Sequence, residues 1–458
     1  MKIMTDDFNE KYEAEVSAIF TRFPSFQKVG AAAYKPGIEG MLAWDEAAGR
    51  PHERYRSVHV AGTNGKGSVS HLIASVLASA GYRVGLYTSP HILDFRERIK
   101  VCNGKGGMAK YISKEGVYGF LMKWKQYFIE NRMSFFEITT MMAFDWFARE
   151  HVDFAVVETG LGGRLDSTNI ITPVLSVITN IGLDHCDLLG DTRAKIAFEK
   201  AGIIKPGVPV VIGEDDPEIA PVFEEKARDC GSALCRAQEI YPVDSPVVEE
   251  LFCEMDLKGE YQRHNVSTAL TALSVLKKEN VLDEGAVDES VVYDGITGAA
   301  SRMRFLGRWQ DIRKGRSRLI VDIGHNAHGL KYNFSQLGRL FVQDPSRKAV
   351  MVLGFVADKD VDAALAGIPC PDGRNIEFVF TNAASPRALP AHELERHFLL
   401  RYSGHVSSGS YSVRVVPRVA DAVMYALEAC GPEGGIIYIG GSTFVVAEAL
   451  PALGYKDS

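Results

Sequence analysis

The sequence predicts an α/β fold, because short apolar runs rich in β-branched residues alternate with helical patterns along most of the chain. YRSVHVAG (55–62) has the character of a buried strand, and HLIASVLASAG (71–81) after it has that of a helix. The alternation restarts near Leu319, after a charged, glycine-containing segment that suits a domain boundary. We therefore expect a larger domain with a parallel-rich sheet over 1–305 and a smaller α/β domain over 306–458.

Composition and charge narrow the classes of partner. The chain has 458 residues, is 46% hydrophobic and 24% charged, and carries a net charge of −7, so neither nucleic acid nor an anionic membrane is an expected partner. The N-terminus is charged and lacks an apolar segment, and no later stretch reaches roughly 18 consecutive apolar residues. The 7 thinly spread cysteines suit reduced thiols. We expect a cytoplasmic, monomeric protein that acts on small molecules.

A glycine-rich loop between a predicted strand and a predicted helix is the strongest chemical signal. In VHVAGTNGKGSVSHLIASVL (58–77), glycines allow backbone N–H groups to point at phosphate oxygens, and the helix N-terminus adds partial positive charge. Lys66 is placed to reach the β and γ phosphates of a nucleotide, and Ser68 to hold Mg²⁺. The loop predicts that the first domain is a P-loop ATPase domain. Its nucleotide-binding candidates are Gly62, Thr63, Asn64, Gly65, Lys66, Gly67 and Ser68.

The loop GTNGKGS is shorter than the common GxxxxGK[ST] pattern, and it resembles the loop of the folylpolyglutamate synthase branch of the Mur ligase superfamily. Segments similar to the other sequence blocks of this family follow in the family's order. They are TSPHILDFRERI (88–99), FFEITTMMAF (135–144), ETGLGGRLDSTNI (158–170), the long segment 178–211 and VDIGHNAHG (321–329). Because the resemblance covers most of the chain, the sequence is identified as a member of the bacterial bifunctional folylpolyglutamate synthase/dihydrofolate synthase family.

The resemblance implies an ATP-dependent ligase that adds L-glutamate to dihydropteroate, to a (tetrahydro)folyl-polyglutamate, or to both. The expected small-molecule partners are therefore these acids, glutamate and ATP. The second domain is then a Rossmann-like glutamate ligase domain. A free carboxylate does not form an amide with an amine unless it is activated, and ATP supplies this activation by converting the carboxylate into an acyl phosphate. The sequence leaves open which acceptor is used.

The resemblance also implies a magnesium-dependent centre with two metal sites. By their match to the family, the expected metal ligands are Ser68, Glu137 and His185. Lys66 and His185 are expected catalytic residues, and Lys200, which matches a lysine that the family carbamylates, is the third. From the residues alone, a glutamate at a helix start also suits the helix dipole, and an isolated histidine also suits a structural role. Helix periodicity alone favours a solvated charge at Lys200.

Further nucleotide and substrate contacts are implied by the same match. The nucleotide-binding candidates outside the loop are Asn265, expected at the adenine, and Arg308, Asp322 and His325. The block that contains Asp322 reads DIGHNAH where the family has DGAHNP, and Arg308 is equally compatible with a solvated linker residue. The substrate-binding candidates are Ser89, Pro90, His91, Arg96, Asp166 and Ser167, together with the segment 23–37.

Two other functions fit parts of the pattern. A different Mur-type amino-acid ligase is disfavoured, because only about sixty residues precede Gly62, too few for the additional nucleotide-sugar-binding domain that such enzymes are expected to need. A nucleotide switch without ligase activity would need the loop, but neither the metal ligands Glu137 and His185 nor a second domain that carries Asp322. Both stand as alternatives to a folate-directed ligase.

Overall fold

A computed structural model describes residues 2–23, 30, 35–104, 106–370 and 375–455, and the chain forms two compact units. The first unit comprises Met1–His91, Phe95–Asp256 and Gln262–Phe305. The second comprises Ile92–Asp94, Leu257–Tyr261 and Leu306–Ser458. Each contains a largely parallel sheet with helices packed on it, which confirms the predicted α/β class.

Among the described residues, the first unit is organised around an eight-stranded sheet. Its strands are β1 (Arg56–Ala61), β2 (Val84–Tyr87), β3 (Ile99–Cys102), β4 (Lys110–Tyr111), β5 (Phe154–Glu158), β6 (Leu175–Ile178), β7 (Val210–Ile212) and β8 (Leu234–Arg236). They lie in the order β4-β3-β2-β5-β1-β6-β7-β8, and only β3 pairs in the antiparallel sense, with β2 and β4. Strands β5 and β6 are buried along their whole length, which explains their continuous apolar sequences.

Helices pack against this sheet, and two of the hydrophobic cores of this unit illustrate the packing. They are α1 (Lys2–Arg22), α2 (Glu39–Ala48), α3 (Lys66–Ser79), α4 (Lys114–Glu130), α5 (Phe135–Arg149), α6 (Cys186–Leu189), α7 (Arg193–Ala201), α8 (Ala220–Asp229), α9 (Ala237–Ile240), α10 (Pro246–Glu254), α11 (Gln262–Lys278), α12 (Glu289–Thr297) and α13 (Ala299–Met303). One core joins α4 and α5 to β2 and β5. The other joins α7 and α8 to β6 and β7.

The second unit contains a six-stranded sheet in its described part. Its strands are β9 (Gln310–Lys314), β10 (Ser317–Val321), β11 (Lys348–Leu353), β12 (Ile376–Asn382), β13 (Tyr411–Arg418) and β14 (Gly435–Gly440), in the order β13-β12-β11-β14-β10-β9. Its helices are α14 (Ala327–Gln343), α15 (Val361–Leu365), α16 (Ala391–Ser407), α17 (Val419–Ala429) and α18 (Thr443–Ala452). Met351 belongs to one core and its neighbours Val350 and Val352 to another, so helices cover both faces of the sheet.

The order of strands in the first unit fixes where its loops meet. β1 lies between β5 and β6 and is parallel to both. The segments that follow these three strands therefore leave the same edge of the sheet, which is where open α/β sheets bind their ligands. That edge carries the glycine-rich loop and the segments that begin at Thr159 and Thr179.

The described residues bear on two expectations about the chain, its lack of membrane-spanning segments and its reduced cysteines. Throughout the described ranges, no helix is long and apolar enough to cross a membrane. All 7 cysteines are free thiols in the structure. The cytoplasmic location and the monomeric state stay predictions.

Candidate active site

The glycine-rich loop connects the end of β1 to the start of α3. Gly62 has a φ of 151° and Gly65 a φ of 81°, conformations that residues with a Cβ rarely adopt. An added Cβ would also overlap the side chain of Thr179 at Gly62 and that of Asn265 at Gly65. Helix α3 begins at Lys66 without a side-chain cap. Because first-turn amides have no acceptor within their own helix, this end of α3 offers N–H groups to an anion.

Two lysine ammonium groups meet at the carbonyl oxygen of Gly62. Lys66 Nζ donates to it at 3.0 Å and to Thr63 O at 3.1 Å. Lys200 Nζ, from α7, donates to the same Gly62 oxygen at 2.8 Å. The fold thus brings two of the three predicted catalytic residues to one point of the loop, although they lie far apart in the sequence.

Lys200 is buried, with only 4% of its surface exposed, a burial that it shares with Lys100 of the same unit. Burial lowers its pKa to about 7, and the Lys66 charge adds to this effect, whereas Asp184 and Asp166 oppose it. The lowered pKa makes the uncharged amine more accessible at Lys200 than at an exposed lysine. Such an amine is a nucleophile, unlike the protonated side chain of an exposed lysine.

Helix α11 carries Asn265 to the loop. Asn265 Nδ2 donates to Gln262 Oε1 at 2.8 Å, and Gln262 Nε2 donates to Ser68 Oγ at 3.2 Å. Ser68, the predicted magnesium ligand in the first turn of α3, is 2% exposed. Asn265 thus lies beside the phosphate loop, and its predicted contact with adenine stays a prediction.

Sequence reasoning missed Glu158, which ends β5 next to the loop. Glu158 lies opposite Val60 in the parallel pairing of β5 with β1, and Thr159 N donates to Val60 O at 2.9 Å. The Glu158 side chain is 3% exposed and accepts from Ser89 N at 3.0 Å. The rule that ligands lie at the carboxyl ends of parallel strands would have pointed to this carboxylate.

Glu137, the predicted magnesium ligand, serves as a helix cap. Its Oε2 accepts from Ser134 N at 2.6 Å and its own N–H donates to Ser134 Oγ at 3.2 Å, which forms a capping box at the start of α5. Lys35 Nζ lies 3.3 Å from both carboxylate oxygens. This environment matches the helix-start alternative for Glu137 and gives no geometric support to its metal role.

His185 and Asp184 lie in the segment that follows β6. His185 is the N-cap residue of α6, has a φ of 53°, and donates its N–H to Asp184 Oδ1 at 2.9 Å. Its side chain is 27% exposed. Within the described residues, no three or more His, Cys, Asp or Glu side chains form a metal cluster. The absence of such a cluster is compatible with magnesium, because a protein-bound Mg²⁺ ion uses only one or two carboxylates beside phosphate oxygens and water.

The predicted substrate residue Asp166 holds its own loop together. Its carboxylate accepts from Gly160 N at 2.9 Å, Leu161 N at 2.8 Å and Thr168 N at 3.0 Å, and also from the Thr168 hydroxyl. Burial raises the pKa of Asp166, although these hydrogen bonds oppose the rise. The neighbouring Ser167 is 6% exposed. A substrate contact by either residue stays a prediction, and through Asp166 it would have to replace one of these bonds.

The predicted substrate loop after β2 divides between the two units. Ser89, Pro90 and His91 belong to the first unit and Ile92–Asp94 to the second. His91 Nδ1 accepts from Arg98 Nε at 2.9 Å, and burial together with the Arg98 charge holds the pKa of His91 well below its usual value. His91 is therefore a neutral acceptor for Arg98, and its substrate role stays a prediction.

Two substrate candidates remain, Arg96 and the segment 23–37, and their substrate roles stay predictions. Arg96 lies in the 3-10 helix Phe95–Arg98 and is half-buried. The candidate segment 23–37 lies mostly outside the described residues, which omit 24–29 and 31–34.

Asp322 of the second unit follows β10, and its carboxylate is fully hydrogen-bonded. Oδ2 accepts from Tyr261 OH and Trp309 N, each at 2.7 Å. Oδ1 accepts from Gly324 N and Asn333 Nδ2, each at 2.7 Å. Four donors occupy the lone-pair positions of a carboxylate. Asp322 thus joins separate segments of this unit, and its predicted contact with ribose would need one of these bonds to exchange.

The other nucleotide candidates of this unit lie near Asp322 in the sequence. His325 Nδ1 lies 3.1 Å from Ile323 O. Arg308 is half-buried, with its guanidinium 3.5 Å from Leu306 O and 3.4 Å from Gly307 O. The nucleotide roles of His325 and Arg308 stay predictions.

Comparisons with known proteins cover both units. The Mur ligase middle domain matches residues 60–273, and the glutamate ligase domain of Mur ligases matches residues 307–443. The folylpolyglutamate synthase of Lacticaseibacillus casei is 33% identical over 391 residues, which span 82% of this chain and 87% of that protein. The chain belongs to the folylpolyglutamate synthase/dihydrofolate synthase family.

Solved structures of this family share the fold. The folylpolyglutamate synthase of Mycobacterium tuberculosis complexed with ADP has a TM-score of 0.77 at 27% identity, over 98% of this chain and 99% of that chain. A bifunctional folylpolyglutamate synthase/dihydrofolate synthase with Mn, AMPPNP and L-glutamate bound has a TM-score of 0.73 at 26% identity, over 92% and 95% of the two chains. As a member of this family the chain is an ATP-dependent ligase, and neither alternative raised by the sequence is supported.

Proposed function

We propose that this family member joins L-glutamate to the carboxylate of dihydropteroate, of a folyl-polyglutamate, or of both, at a centre formed by the phosphate loop, Lys200 and Glu158. The observation that carries the proposal is the convergence of Lys66 and Lys200 on the Gly62 carbonyl. Burying a second ammonium group beside a first is unfavourable, and groups with such perturbed pKa values cluster at catalytic sites. A loop that only bound a nucleotide would not need Lys200.

The reaction consists of two bond exchanges. An oxygen of the acceptor carboxylate attacks the γ-phosphorus of ATP, the bond from that phosphorus to the β–γ bridging oxygen breaks, and ADP leaves. The amino group of glutamate then attacks the carbonyl carbon of the acyl phosphate and loses a proton, and inorganic phosphate leaves with one former carboxylate oxygen. Lys66 offsets negative charge on the transferring group, and first-turn amides of α3 bind phosphate oxygens.

Ser68 and Glu158 are the ligands that we propose for one magnesium, with His185 as a ligand for a second. Glu158 is a buried carboxylate at the end of β5, and Ser68 is a hydroxyl in the first turn of α3. One carboxylate, one hydroxyl and phosphate oxygens form a donor set that suits Mg²⁺. When bound, the ion would offset phosphate charge.

Lys200 is proposed to carry a carbamate. Its uncharged Nζ attacks the carbon of CO₂, one C–O π bond opens onto oxygen, and Nζ releases a proton to solvent, which leaves a carbamate anion. Its burial and its pKa of about 7 support this step, because the uncharged amine is already populated near neutrality. The carbamate would replace repulsion between Lys200 and Lys66 with attraction.

Replacing Glu158 and Glu137 separately distinguishes the two carboxylates. We expect Glu158→Gln to raise the magnesium concentration needed for half-maximal activity by at least about tenfold, because a metal ligand is lost. Glu137→Gln keeps a side chain that can complete the capping box, so we expect the magnesium requirement to stay within about twofold of the wild type. Magnesium titrations of both variants measure this. A raised magnesium requirement in Glu137→Gln alone would instead support Glu137 as the metal ligand.

The proposed function is tested by ADP release from the purified protein with ATP and glutamate. Dihydropteroate and a reduced folate are compared as acceptors. We expect ADP release that depends on glutamate and on at least one acceptor. ADP release that neither acceptor stimulates would overturn the proposed substrate class.

A further inference from the structure

The segment that follows β6 holds the first half of the phosphate loop through its backbone. Thr63 N donates to Asn180 O at 2.9 Å, and Asn64 N donates to Asn180 Oδ1 at 2.8 Å. Thr179 Oγ1 donates to Asn64 O at 2.6 Å. We call Thr179, Asn180 and Gly182 the latch.

The latch also engages the side chain of Thr63. Its hydroxyl donates to Gly182 O at 3.1 Å and accepts from Gly182 N at 3.0 Å. The hydroxyl therefore faces the latch with both its donor and an acceptor position. The predicted nucleotide contact of Thr63 cannot use this hydroxyl without breaking the latch.

A carboxylate fixes the orientation of the Asn180 amide. Asn180 Nδ2 donates to Glu214 Oε1 at 3.3 Å, in the segment that follows β7. Because Nδ2 faces Glu214, Oδ1 is the atom that faces the Asn64 amide, and it is the acceptor that this amide requires. The latch thus links the ends of three neighbouring strands, β1, β6 and β7.

The loop therefore divides into two halves whose backbone amides have different partners. The amides of Thr63 and Asn64 are committed to Asn180. From Gly65 onward the chain enters α3, whose first-turn amides have no acceptor within the helix and no side-chain cap. From Thr63 to Ser68, the N–H groups that are available to an anion are thus those of the second half.

We propose that Thr179 and Asn180 are positioning residues that hold Thr63 and Asn64 in place, so that the amides from Gly65 to Ser68 are preorganised for the phosphates of the nucleotide. This inference rests on the proposed function in so far as the loop binds ATP. It adds that the first two loop residues after Gly62 bind the latch and not the phosphates. Preorganised donors bind an anion more tightly than donors that must first be ordered.

An isosteric pair at Thr179 tests the latch. Thr179→Val removes the hydroxyl that donates to Asn64 O, and Thr179→Ser retains it. We expect Thr179→Val to raise the Kd for MgADP about tenfold, because the carbonyl oxygen of Asn64 loses its hydrogen-bond donor. Thr179→Ser should recover most of the affinity. Asn180→Ala should weaken MgADP binding to a similar extent. Isothermal titration calorimetry without acceptor or glutamate measures the Kd.

Kinetics separate positioning from a general loss of structure. Both weakening variants should raise the KM for ATP and leave the KM for glutamate within about twofold of the wild type. Asn131→Ala is the matched control, because Asn131 makes an asparagine hydrogen bond to Tyr127 O at 2.9 Å on the exposed end of α4. Its Kd for MgADP should not change.

The outcomes for the latch and for the proposed function are distinct. Folded Thr179→Val and Asn180→Ala proteins with wild-type affinity for MgADP would overturn the latch. If Thr179→Val does not fold, Asn180→Ala alone decides. A wild-type protein that binds MgADP through the latch but shows no acceptor-dependent turnover would leave the latch in place and overturn the proposed function.

Discussion

Lys66→Ala should lower kcat by about 10³-fold or more, because Lys66 supplies positive charge to the transferring phosphoryl group. The ammonium of Lys66 lies on the loop itself, bonded to Gly62 O at 3.0 Å and Thr63 O at 3.1 Å. Both bonds run from a half-buried side chain to backbone oxygens of the loop, so the variant should fold and keep its melting temperature within a few degrees. Steady-state ADP release and a thermal melt measure the two effects.

Lys195→Ala provides the control for lysine replacement. Lys195 lies on α7 with its side chain 64% exposed and paired with Asp191 four residues away, an arrangement that contributes little to stability. Its kcat should stay within about twofold of the wild type. Near-normal turnover by Lys66→Ala would remove Lys66 from the reaction.

Lys200→Ala should lower kcat by about 10²-fold or more, because the proposed carbamate can no longer form beside Lys66. Added acetate or another short carboxylate should recover part of the rate, since a small anion can enter the space that the side chain leaves. The same addition should not change Lys195→Ala. A fully active Lys200→Ala protein would exclude the carbamate.

The activity of the wild type should depend on pH through Lys200. The pKa of Lys200 is lowered to about 7, so the uncharged amine that reacts with CO₂ becomes more abundant as the pH rises through 7. With limiting bicarbonate, activity should therefore rise between about pH 6 and pH 8, and added bicarbonate should shift the rise to lower pH. In Lys200→Ala rescued by acetate, this rise should disappear.

The phosphate loop could be predicted from the sequence because its chemistry is local. Glycines, Lys66 and Ser68 stand side by side, and the strand before them and the helix after them are each recognisable alone. The class of fold was predictable for the same reason. Alternation of strands and helices is a property of neighbouring segments.

Choosing between Glu137 and Glu158 as the magnesium ligand requires information about parts of the chain that are distant in sequence. Both acids stand in segments that resemble the family, and only the order of strands shows that β5, which ends at Glu158, lies beside β1. Glu137 lies at the start of a helix with Ser134 three residues before it, a pattern that predicts a capping box. That pattern could have predicted the cap at Glu137 from the sequence, and the metal role of Glu137 stays a prediction.

Helix periodicity alone favoured a solvated Lys200, and the structure shows this side chain buried. In α7 the buried positions are Ile196, Ala197, Lys200 and Ala201, so Lys200 falls one turn after Ile196 on the inner face. The partners of Asp322 were not accessible, because Tyr261, Trp309 and Asn333 approach it from separate parts of the chain. Sequence patterns do not predict the partners of a side chain when those partners are distant in the sequence.

The central claim is that ATP makes an unreactive acid reactive toward an amine. Isotope tracing tests it with acceptor whose carboxylate carries ¹⁸O, in a complete reaction with ATP and glutamate. An acyl phosphate intermediate predicts one ¹⁸O atom in each molecule of inorganic phosphate formed by amide synthesis. Inorganic phosphate without ¹⁸O, produced alongside the glutamylated product, would contradict the account.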